Sequence, residues 1–485
     1  MNFKKIFSYI VRFLYLILFL ISFTLLIDKI NNLFIKNDLY IKYILISFFI
    51  FYIISIINII KKKRNFLKYI SFIFLFIFIC INTLTFANIS YVEKMINKAN
   101  DKSNIEYKKY KVIVLNESKY NYYKDLKKTK IGFINENNYN NSKKTLKERT
   151  NITFKSKKYN DLISLIGGLN NDEINAIVID DNYLSMLKEN KSKALNNTKI
   201  IYGYKSVITK KEKKIKKDNN EKSNTFIMYI SGSDSRDSIN TVSRSDVNIV
   251  AVVNPNDNKI LLVNIPRDYY VQLHGTSGVK DKLTHAGVYG IDMSIKTIED
   301  LLNIDIDNYL KVGFNTVIKS VDLVGGIEIN SDSEFVSSIN NNCSFKKGIN
   351  EVNGDCALAF ARERYAYLEG DRHRGLNQEE VIRGFIDKIS SPKYLLKYNK
   401  ILKEIDDTFE TNMDYNDIVS LVKEEATSLA SWTIESYNLD GENASMPTYS
   451  MGSQRLYVMI PYESTIKEAK EKIKENLNND EEKEQ

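Results

Sequence analysis

The chain has 485 residues, more than one ordinary soluble domain holds, so its length predicts two or more structural units. Its 69 Lys and Arg residues against 60 Asp and Glu leave a formal net charge of +9, a mild excess for this length. That charge is compatible with nucleic acid as a partner, but the membrane topology predicted from the N-terminal sequence argues against it. Three histidines and no Cys-x-x-Cys pair argue against a zinc site.

The first ninety residues contain three apolar segments, each with about the twenty residues that a helix needs to cross a bilayer. They are Tyr9–Ile27, Leu39–Ile60 and Tyr69–Ala87. Lys4 and Lys5 precede the first segment and the basic run Lys61–Arg64 follows the second, which predicts a cytoplasmic N-terminus. We therefore expect residues 1–90 to form three transmembrane helices of a multi-pass cell-membrane protein with a large extracytoplasmic C-terminal region.

Residues 91–222 are predicted to form a small α/β accessory domain followed by a linker. Apolar strands alternate with helical patterns along this region. The expected strands are Lys111–Leu115, Lys130–Ile134 and Ile174–Ile179, and the expected helices are Ser142–Arg149 and Asp161–Leu169. This sequence contains no phosphate loop and no paired acids, which favours a spacer or a partner-docking domain. The charged run Lys210–Glu221 predicts a solvated linker.

Residues 223–478 are predicted to form a three-layer α/β/α domain, because apolar strands are flanked by amphipathic helices. The expected strands are Thr225–Ile230, Val247–Val253, Lys259–Ile265, Ile327–Asn330, Trp432–Asn438 and Leu456–Ile460. The expected helices are Asp292–Leu302 and Asn315–Val324, each capped by its first residue, then Gln378–Ile389, Asp414–Leu429 and one from Ser464. Residues 479–485 are expected to be a disordered charged tail.

Clusters of Arg and Asp recur in this last domain beside strongly apolar runs. They are Gly232–Arg236, Arg244–Asp246, Pro266–Asp268, Arg362–Arg364 and Asp371–Arg374 leading to Gln378. Charges in such places are costly unless they are paired or used. Asp234 and Asp246 suit a hard divalent cation, and several guanidinium groups suit a phosphate or pyrophosphate. The combination predicts phosphoryl chemistry, whereas one cluster alone would be explained by a structural ion pair.

Two of the three cysteines, Cys343 and Cys356, lie thirteen positions apart in the external region, where a disulfide is permitted. Such a bond would close a short loop and contribute roughly 3 kcal/mol. Two free thiols in a reducing habitat are the alternative. Cys80 lies within the third apolar segment and is expected to be a small apolar filler.

The order of the motifs resembles the LytR–CpsA–Psr (LCP) domain over roughly residues 223–392, with weaker similarity to about residue 475. The similarity is carried by the runs SGSDSR, VSRSDVNIVAVVNP, KILLVNIPRDYYVQL, KLTHAGVYG, LVGGIEI and LAFARERYAYLEGDRHRGLNQEEVIRGFIDKI. Three predicted spans and an extra module before the domain look like the CpsA branch. The resemblance implies a transferase that moves a polyprenyl-pyrophosphate-linked glycopolymer, such as capsular polysaccharide, to peptidoglycan as a phosphodiester. Capsule-assembly proteins are further candidate partners.

The resemblance also implies roles for particular residues. Asp234 and Asp246 would bind Mg²⁺ or Mn²⁺, and Arg244 and Arg267 would both bind the donor and assist the reaction. The other residues expected to contact the pyrophosphate are Lys282, Arg362, Arg364, Arg374 and Gln378. Many members have Arg where this chain has Asn377, so Arg372 or Arg374 is expected to take over part of the phosphate contact. The resemblance does not place the general base, and Asp371 is our candidate.

Two other functions are compatible with the same residues. Water in place of the acceptor would give a polyprenyl-pyrophosphate hydrolase, and an inactive domain would give a regulator or scaffold of capsule assembly. A lipid tail needs an apolar slot, which the inner faces of helices 292–302, 315–324 and 378–389 could line. Plain core packing is the alternative for those faces.

Overall fold

A computed structural model describes residues 3–33, 46, 49–50, 52–54, 56–57, 66–102, 105–136, 138–209, 225–233, 238–368, 370–390, 404, 408–413 and 432–478. Outside the described residues lie Asp234, most of the second apolar segment, the predicted linker, the predicted helix Asp414–Leu429 and the tail 479–485. By their contacts the described residues form two compact units, one ending at Asn97 and the other beginning at Lys98.

The N-terminal unit is built on two long helices, α1 (Phe3–Leu33) and α2 (Phe66–Lys102). Within α2, Tyr69–Ala87 is long and apolar enough to cross a membrane, and α1 contains the shorter apolar stretch Phe13–Asp28. The described residues thus contain one helix that meets the length and composition of a membrane span. The three-helix topology stays a prediction.

The second unit begins with the accessory module, residues 105–209, which has a five-stranded mixed sheet. Its strands are β1 (Ile105–Leu115), β2 (Lys130–Ile134), β3 (Lys155–Tyr159), β4 (Ala176–Asp180) and β5 (Thr198–Thr209), in the spatial order β3-β2-β4-β1-β5. Its helices are α3 (Tyr139–Thr150), α4 (Leu162–Asn170) and α5 (Asp181–Glu189). β2 runs parallel to β3 and β4, because α3 and α4 provide the crossovers that parallel strands need.

The second domain, residues 226–478, is built around a six-stranded sheet. The described strands of the whole domain, of which six form this sheet, are in chain order β6 (Phe226–Ser233), β7 (Ser245–Asn254), β8 (Lys259–Asn264), β9 (Tyr270–Val271), β10 (Asp281–Lys282), β11 (Asn308–Val312), β12 (Ile327–Ser331), β13 (Phe335–Val336), β14 (Ser344–Phe345), β15 (Gly348–Val352), β16 (Phe409–Thr411), β17 (Thr433–Asn438), β18 (Gly441–Thr448) and β19 (Gly452–Pro461). Its helices are α6 (Leu283–Ala286), α7 (Ile291–Leu302), α8 (Phe314–Leu323), α9 (Gly354–Arg362), α10 (Asp371–Ile389) and α11 (Glu463–Asn478).

Apolar cores lie on both faces of this sheet, whose strand order is β16-β11-β6-β7-β8-β17. Alternate residues of a strand point to opposite faces. Val250 and Val263 pack on one face against α7 and α11, whereas Ile249 and Leu262 pack on the other face against Ile382 of α10. Helices therefore cover both faces, and the predicted α/β/α fold is confirmed. The inner sides of α7 and α10 are core surfaces.

Strand direction sets where the site lies. β6 is parallel to β11 and antiparallel to β7, and β8 is antiparallel to β7 and parallel to β17. The last residues of β6, β8, β11 and β17 and the first residues of β7 therefore lie along the same edge of the sheet, here called the carboxyl edge. Ser233 and Ser245 are directly paired there.

Several helix starts differ from the sequence-based expectation, three of them in helices of the second domain that flank the site. α7 and α8 begin after Gly290 and Gly313, so the predicted caps Asp292 and Asn315 are wrong, and both residues lie in the first turn instead. α10 begins at Asp371, seven residues before its predicted start. Its first two turns, DRHRGLN, contain a single large apolar residue, so hydrophobic periodicity does not reveal them.

Candidate active site at the carboxyl edge

Most of the predicted charged clusters meet at the carboxyl edge of the six-stranded sheet. The start of β7, the loop after β8, the end of β10 and the first turn of α10 supply them. The residues brought together are Arg244, Asp246, Arg267, Asp268, Lys282, Asp371 and Arg374. They span well over a hundred positions of sequence, so it is the fold that assembles them.

Arg267 is the central cation of this cluster and is only 6% exposed. Its Nη1 donates to Asp246 Oδ1 at 2.7 Å, and its Nη2 donates to Glu189 Oε1 at 2.6 Å. Its Nε lies 3.8 Å from Asp268 Oδ2. Burial alone would lower the pKa of Arg267, but the surrounding carboxylates outweigh it and raise the pKa. The guanidinium group is therefore charged and held in one orientation.

Asp246 is an ionised carboxylate within the same cluster. Burial would raise its pKa, but the positive charges of Arg267, Arg374 and Arg244 lower the pKa to about 2. Its Oδ1 also accepts a hydrogen bond from Thr284 Oγ1 at 3.2 Å. The side chain thus presents negative oxygen atoms at neutral pH.

The predicted divalent cation fits this carboxylate. Mg²⁺ prefers oxygen ligands and commonly uses one or two carboxylates together with substrate phosphates. The described residues contain no group of three or more His, Cys, Asp or Glu arranged to hold a metal by themselves. Asp234 lies outside the described residues, but it directly follows Ser233, which pairs with Ser245 next to Asp246. Asp246 therefore suits a cation whose remaining ligands come largely from a phosphorylated substrate.

Two further ion pairs border the central arginine. Lys282 Nζ lies 2.8 Å from Asp268 Oδ1, and Arg374 Nη2 donates to Asp371 Oδ2 at 3.1 Å. Burial raises the pKa of Asp371, and the negative charge of Asp268 adds to that effect, while Arg374 opposes it. Asp371 is therefore a more basic carboxylate than an exposed aspartate.

A cavity of about 680 Å³ opens beside the cluster. Its lining includes charged and polar groups, namely Asp246, Arg267, Asp268, Asp371, Arg372, Arg374 and Gln378. It also includes apolar and aromatic groups, namely Ile265, Leu368, Leu376, Leu439, Tyr457 and Met459. Asp371, Arg374 and Gln378 reach it together because they lie three, four and seven positions apart on α10, which places them on one helix face. The cavity is large enough for a drug-sized ligand with a charged end and an apolar end.

Four of the predicted substrate-binding residues do not line this cavity: Arg244, Lys282, Arg362 and Arg364. The guanidinium group of Arg362 lies 4.3 Å from the ring centroid of Phe314, and Arg364 Nη2 donates to the Tyr365 hydroxyl at 2.8 Å. Arg362 and Arg364 are two positions apart, so both would point to one side if their segment were extended. Because α9 ends at Arg362, that condition does not hold.

The residue between these two arginines fixes the turn. Glu363 is fully buried and accepts hydrogen bonds from Ser337 Oγ at 2.9 Å and from the Ser338 backbone N–H at 2.7 Å. The same carboxylate accepts from the backbone N–H of Arg364 at 3.0 Å. Glu363 therefore acts as an anchor for the turn after α9.

Asn377, where many members of the resembled family have Arg, faces away from the cavity. Its Nδ2 donates to the backbone oxygen of Phe360 at 3.1 Å, which ties α10 to α9. The neighbouring Gln378 lines the cavity instead. Arg374 and Arg372 both line it, and Arg372 is also paired with Asp440 at 2.8 Å, so their part in phosphate contact stays a prediction.

Sequence reasoning missed Glu189, the last residue of α5 in the accessory module. Besides Arg267, its carboxylate accepts a hydrogen bond from Arg244 Nη1. Burial would raise the pKa of Glu189, but Arg267 and Arg244 lower it to about 2. A glutamate near the end of a polar surface helix carries no distinctive sequence signal, so only the tertiary contact reveals it.

Cys343 and Cys356 form a disulfide in the structure, with Cα atoms 5.4 Å apart. Cys343 is buried in the cluster that also contains Phe345 and Phe360, next to α9. Cys80 is a free thiol in α2. The disulfide lies in the part of the domain that supports the turn after α9.

The fold and the site together define a layered α/β protein in which buried arginines and carboxylates border a partly apolar cavity. The chain belongs to the LytR_cpsA_psr family, whose model matches residues 190–475. The family predicted from the motifs is thereby confirmed, while assignment to the CpsA branch stays a prediction.

Among characterised relatives, the chain is similar to the polyisoprenyl-teichoic acid–peptidoglycan teichoic acid transferase TagU of Enterococcus faecalis. The two are 32% identical over 228 residues, which cover 47% of this chain and 72% of the relative. A protein of the same name from Bacillus anthracis is 36% identical over 181 residues, 37% of this chain and 58% of the relative. This chain therefore spans less than two thirds of the B. anthracis protein.

Solved structures with a similar fold include B. subtilis TagV and TagT. TagV is 28% identical, with a TM-score of 0.45 over 53% of this chain and 99% of TagV. TagT is 26% identical, with a TM-score of 0.42 over 52% of this chain and 91% of TagT.

Proposed function

We propose that the chain is a membrane-anchored transferase that moves a polyprenyl-pyrophosphate-linked glycopolymer onto peptidoglycan as a phosphodiester. The observation that carries the proposal is the pairing of buried guanidinium groups with a cavity whose lining contains both charged and apolar groups. A donor with a pyrophosphate head and a prenyl tail combines the same two kinds of chemistry. Membership of the family, and relatives named as teichoic acid transferases, support it.

The reaction follows from the charge distribution of the site. The acceptor hydroxyl oxygen attacks the phosphorus next to the sugar, the bond from that phosphorus to the bridging oxygen breaks, and polyprenyl phosphate leaves. The product keeps one phosphate between glycopolymer and acceptor. Arg267 and Arg374 stabilise the negative charge that develops on the phosphate oxygens. Such electrostatic stabilisation of the transition state is usually the largest single contribution to catalysis.

Asp371 is the proposed general base. It lines the cavity, and burial raises its pKa, so the carboxylate is well suited to accept the proton of the acceptor hydroxyl. Arg374, 3.1 Å away, holds it in place. Mg²⁺ or Mn²⁺ bound by Asp246 and Asp234 would supply further neutralisation of the pyrophosphate charge.

The apolar lining residues are the proposed contacts of the first prenyl units. Among them Leu439 and Met459 are buried, while Leu368 is fully exposed. A chain leaving the cavity past Leu368 would remain in contact with apolar surface. The predicted spans would keep the domain close to a donor that stays in the bilayer.

The proposal is tested by transfer from a synthetic polyprenyl-pyrophosphate disaccharide to a soluble, uncrosslinked peptidoglycan strand. Arg267→Ala and Arg374→Ala are each expected to lower transfer at least about 100-fold, because each removes a cation from the reacting phosphates. Arg383→Ala is the matched control, since Arg383 lies on the same helix but donates to the Ile434 backbone oxygen outside the cavity.

Wild-type-like transfer by both variants would contradict the site assignment. Product analysis with and without acceptor separates transfer from hydrolysis. A wild-type protein that releases free disaccharide phosphate at the same rate in both cases would be a hydrolase. The same assay with teichoic acid and capsular precursors would identify the glycopolymer.

A further inference from the structure

We infer that the accessory module completes the active site, with Glu189 as a positioning residue that holds Arg244 and Arg267 side by side. This inference rests on the proposed function and adds a role for residues 105–209. It replaces the expectation of a simple spacer with that of a structural part of the catalytic centre.

The first observation is the bridging geometry of the carboxylate. Glu189 Oε1 accepts from Arg267 Nη2 at 2.6 Å, and Glu189 Oε2 accepts from Arg244 Nη1. Both arginines are more than nine-tenths buried. Two guanidinium groups this close repel each other, and the repulsion is stronger away from bulk water. A carboxylate shared between them offsets that repulsion and holds both guanidinium groups in place.

The second observation is that Glu189 is itself held firmly. It ends α5, whose start is capped by Asp180, which accepts from the Asn182 backbone N–H at 2.9 Å. Tyr183, Met186 and Leu187 bury the inner side of that helix in the module's core. The position of the carboxylate is therefore set by a packed helix, which gives more precise placement than a loop.

The third observation is a backbone connection to the segment that leads into β7. The Tyr107 N–H of β1 donates to the Asn240 oxygen at 2.9 Å, and the Val242 N–H donates to the Tyr107 oxygen at 2.8 Å. Asn182 Nδ2 of α5 donates to the Val242 oxygen at 3.0 Å. This segment continues directly into Arg244 and Asp246. The module therefore holds the backbone that leads into two site residues, as well as the side chain of Arg244.

The fourth observation is a shared apolar core. Val288, Met451 and Leu456 of the second domain are fully buried in the same cluster as Ile179 and Leu187 of the module. Polar contacts alone would allow the module to separate readily in water. Burial of this apolar surface makes the bridging position of Glu189 the stable one.

The fifth observation indicates that Glu189 supports Arg267 without competing with the donor for it. The cavity lining includes Arg267 and Asp246 but neither Glu189 nor Arg244. A donor in the cavity can thus contact Arg267 on its cavity side while Glu189 remains bound to the same guanidinium group. Glu189 acts through the arginines and does not occupy the position of the donor phosphates.

The test compares Glu189→Gln, Glu189→Asp and Glu189→Ala in the detergent-solubilised full chain. Glu148→Gln is the matched control, because Glu148 is an exposed residue of the same module and its ion pair, with Lys144 at 3.8 Å, is exposed as well. With the disaccharide donor, Glu189→Gln and Glu189→Ala are expected to lower kcat about tenfold or more, because catalysis is sensitive to small misplacement of charged groups. Glu189→Asp is expected to recover part of the loss, since it keeps the charge and can still contact one arginine.

A second measurement does not depend on transfer. Hydrogen exchange of the peptide covering residues 240–246 is expected to be about threefold faster or more in Glu189→Gln than in wild type, while Glu148→Gln leaves it unchanged. Wild-type kcat and wild-type exchange in Glu189→Gln would overturn the inference. Faster transfer by Glu189→Gln would also overturn it, because the carboxylate would then be a competitor of the donor.

The outcomes for the two proposals are distinct. A wild-type chain that transfers nothing while binding inorganic pyrophosphate contradicts the proposed function. In that case faster exchange in Glu189→Gln still supports the positioning role of Glu189, and unchanged exchange overturns it.

Discussion

Two regions of the second unit bury charged groups, and they do so in different ways. In the accessory module, Lys108 is fully buried, with Nζ 3.1 Å from Asp180 Oδ2 and 3.5 Å from Glu136 Oε2. The adjoining pocket holds about 20 Å³, room for little more than one water molecule. At the carboxyl edge, Arg267 is as strongly paired, but it borders a cavity of about 680 Å³.

The comparison shows that buried charge by itself does not mark a functional site. Lys108 has its partners in a closed interior, and this arrangement stabilises one packing of the module. Arg267 and Arg374 also have partners, but each retains a face on a space large enough for a ligand. The cavity beside the charge is therefore the feature that separates a structural ion pair from a candidate catalytic group.

The largest expected effect concerns the buried ion pairs of Lys108 in the accessory module. Lys108→Met would leave the buried Asp180 carboxylate and the partly buried Glu136 carboxylate without their cation, and we expect a loss of about 3–5 kcal/mol in the free energy of unfolding. Lys111→Met on the same strand removes a partly exposed pair with Asp181 at 3.9 Å and should cost less than about 1 kcal/mol. Denaturant titration measures both. Equal effects would contradict the distinction between buried and exposed pairs.

A similar effect is expected at Glu379, just behind the cavity wall. Burial raises the pKa of Glu379 to about 8, although Asn438 Nδ2 donates to it at 3.2 Å. The folded protein therefore retains a proton that the unfolded chain loses near the ordinary glutamate pKa of 4.5. Stability must fall as the pH rises from about 4.5 to 8, by on the order of 3 kcal/mol.

Glu379→Gln should remove this pH dependence, because the amide does not ionise. Thermal unfolding at pH 5 and pH 8 is the measurement. The difference between the two midpoints should be smaller in the variant than in wild type. An unchanged difference would show that Glu379 does not hold the proton.

In the charged cluster beside the cavity, Asp371→Asn is expected to lower kcat about 100-fold, because it removes the proposed base while keeping the shape of the side chain. Since the pKa of Asp371 is raised, wild-type kcat should fall on acidification at a higher pH than an ordinary aspartate would cause. The variant should lack this acid limb. A pH profile of kcat that is the same in both proteins would assign the limb to another group.

The smallest effect concerns Glu189, whose carboxylate links the accessory module to the arginines at the carboxyl edge. Arg267 and Arg244 lower the pKa of Glu189 to about 2 from its ordinary value of 4.5, so its contribution to stability is complete above about pH 4.5 and is lost as the pH falls toward 2. After allowance for its partial exposure, we expect a loss of about 1 kcal/mol. Glu189→Gln should show less of this acid destabilisation than wild type, as measured by thermal unfolding between pH 5 and 2.5.

Local sequence patterns predicted a good deal of the fold. β2 has the predicted bounds Lys130–Ile134, and β7 and β8, both predicted as strands, form a hairpin around the turn-rich residues Asn254–Asn258. Gly325 and Gly326 both have positive φ and lie between α8 and β12, where glycine commonly ends a helix. These features depend on alternation and on turn residues, which act over a few positions.

The candidate site was predicted less evenly. The arginine and aspartate motifs indicated phosphoryl chemistry and the family before any geometry was known. They did not indicate that Arg362 and Arg364 stack on aromatic rings or that Asn377 faces α9. The direction of a side chain at a helix end depends on what packs against it, and that information lies in distant parts of the chain.

By itself, the sequence determined the family, the layered α/β class and the chemical character of the site, because periodicity, turn residues and charged motifs are local properties. Only the tertiary structure decided which charges face a cavity and which are closed in. It alone brought Glu189, some fifty positions before Arg244 in the sequence, into contact with the two central arginines. Electrostatic interactions act through space over a few ångströms, so their partners are set by packing and not by order along the chain.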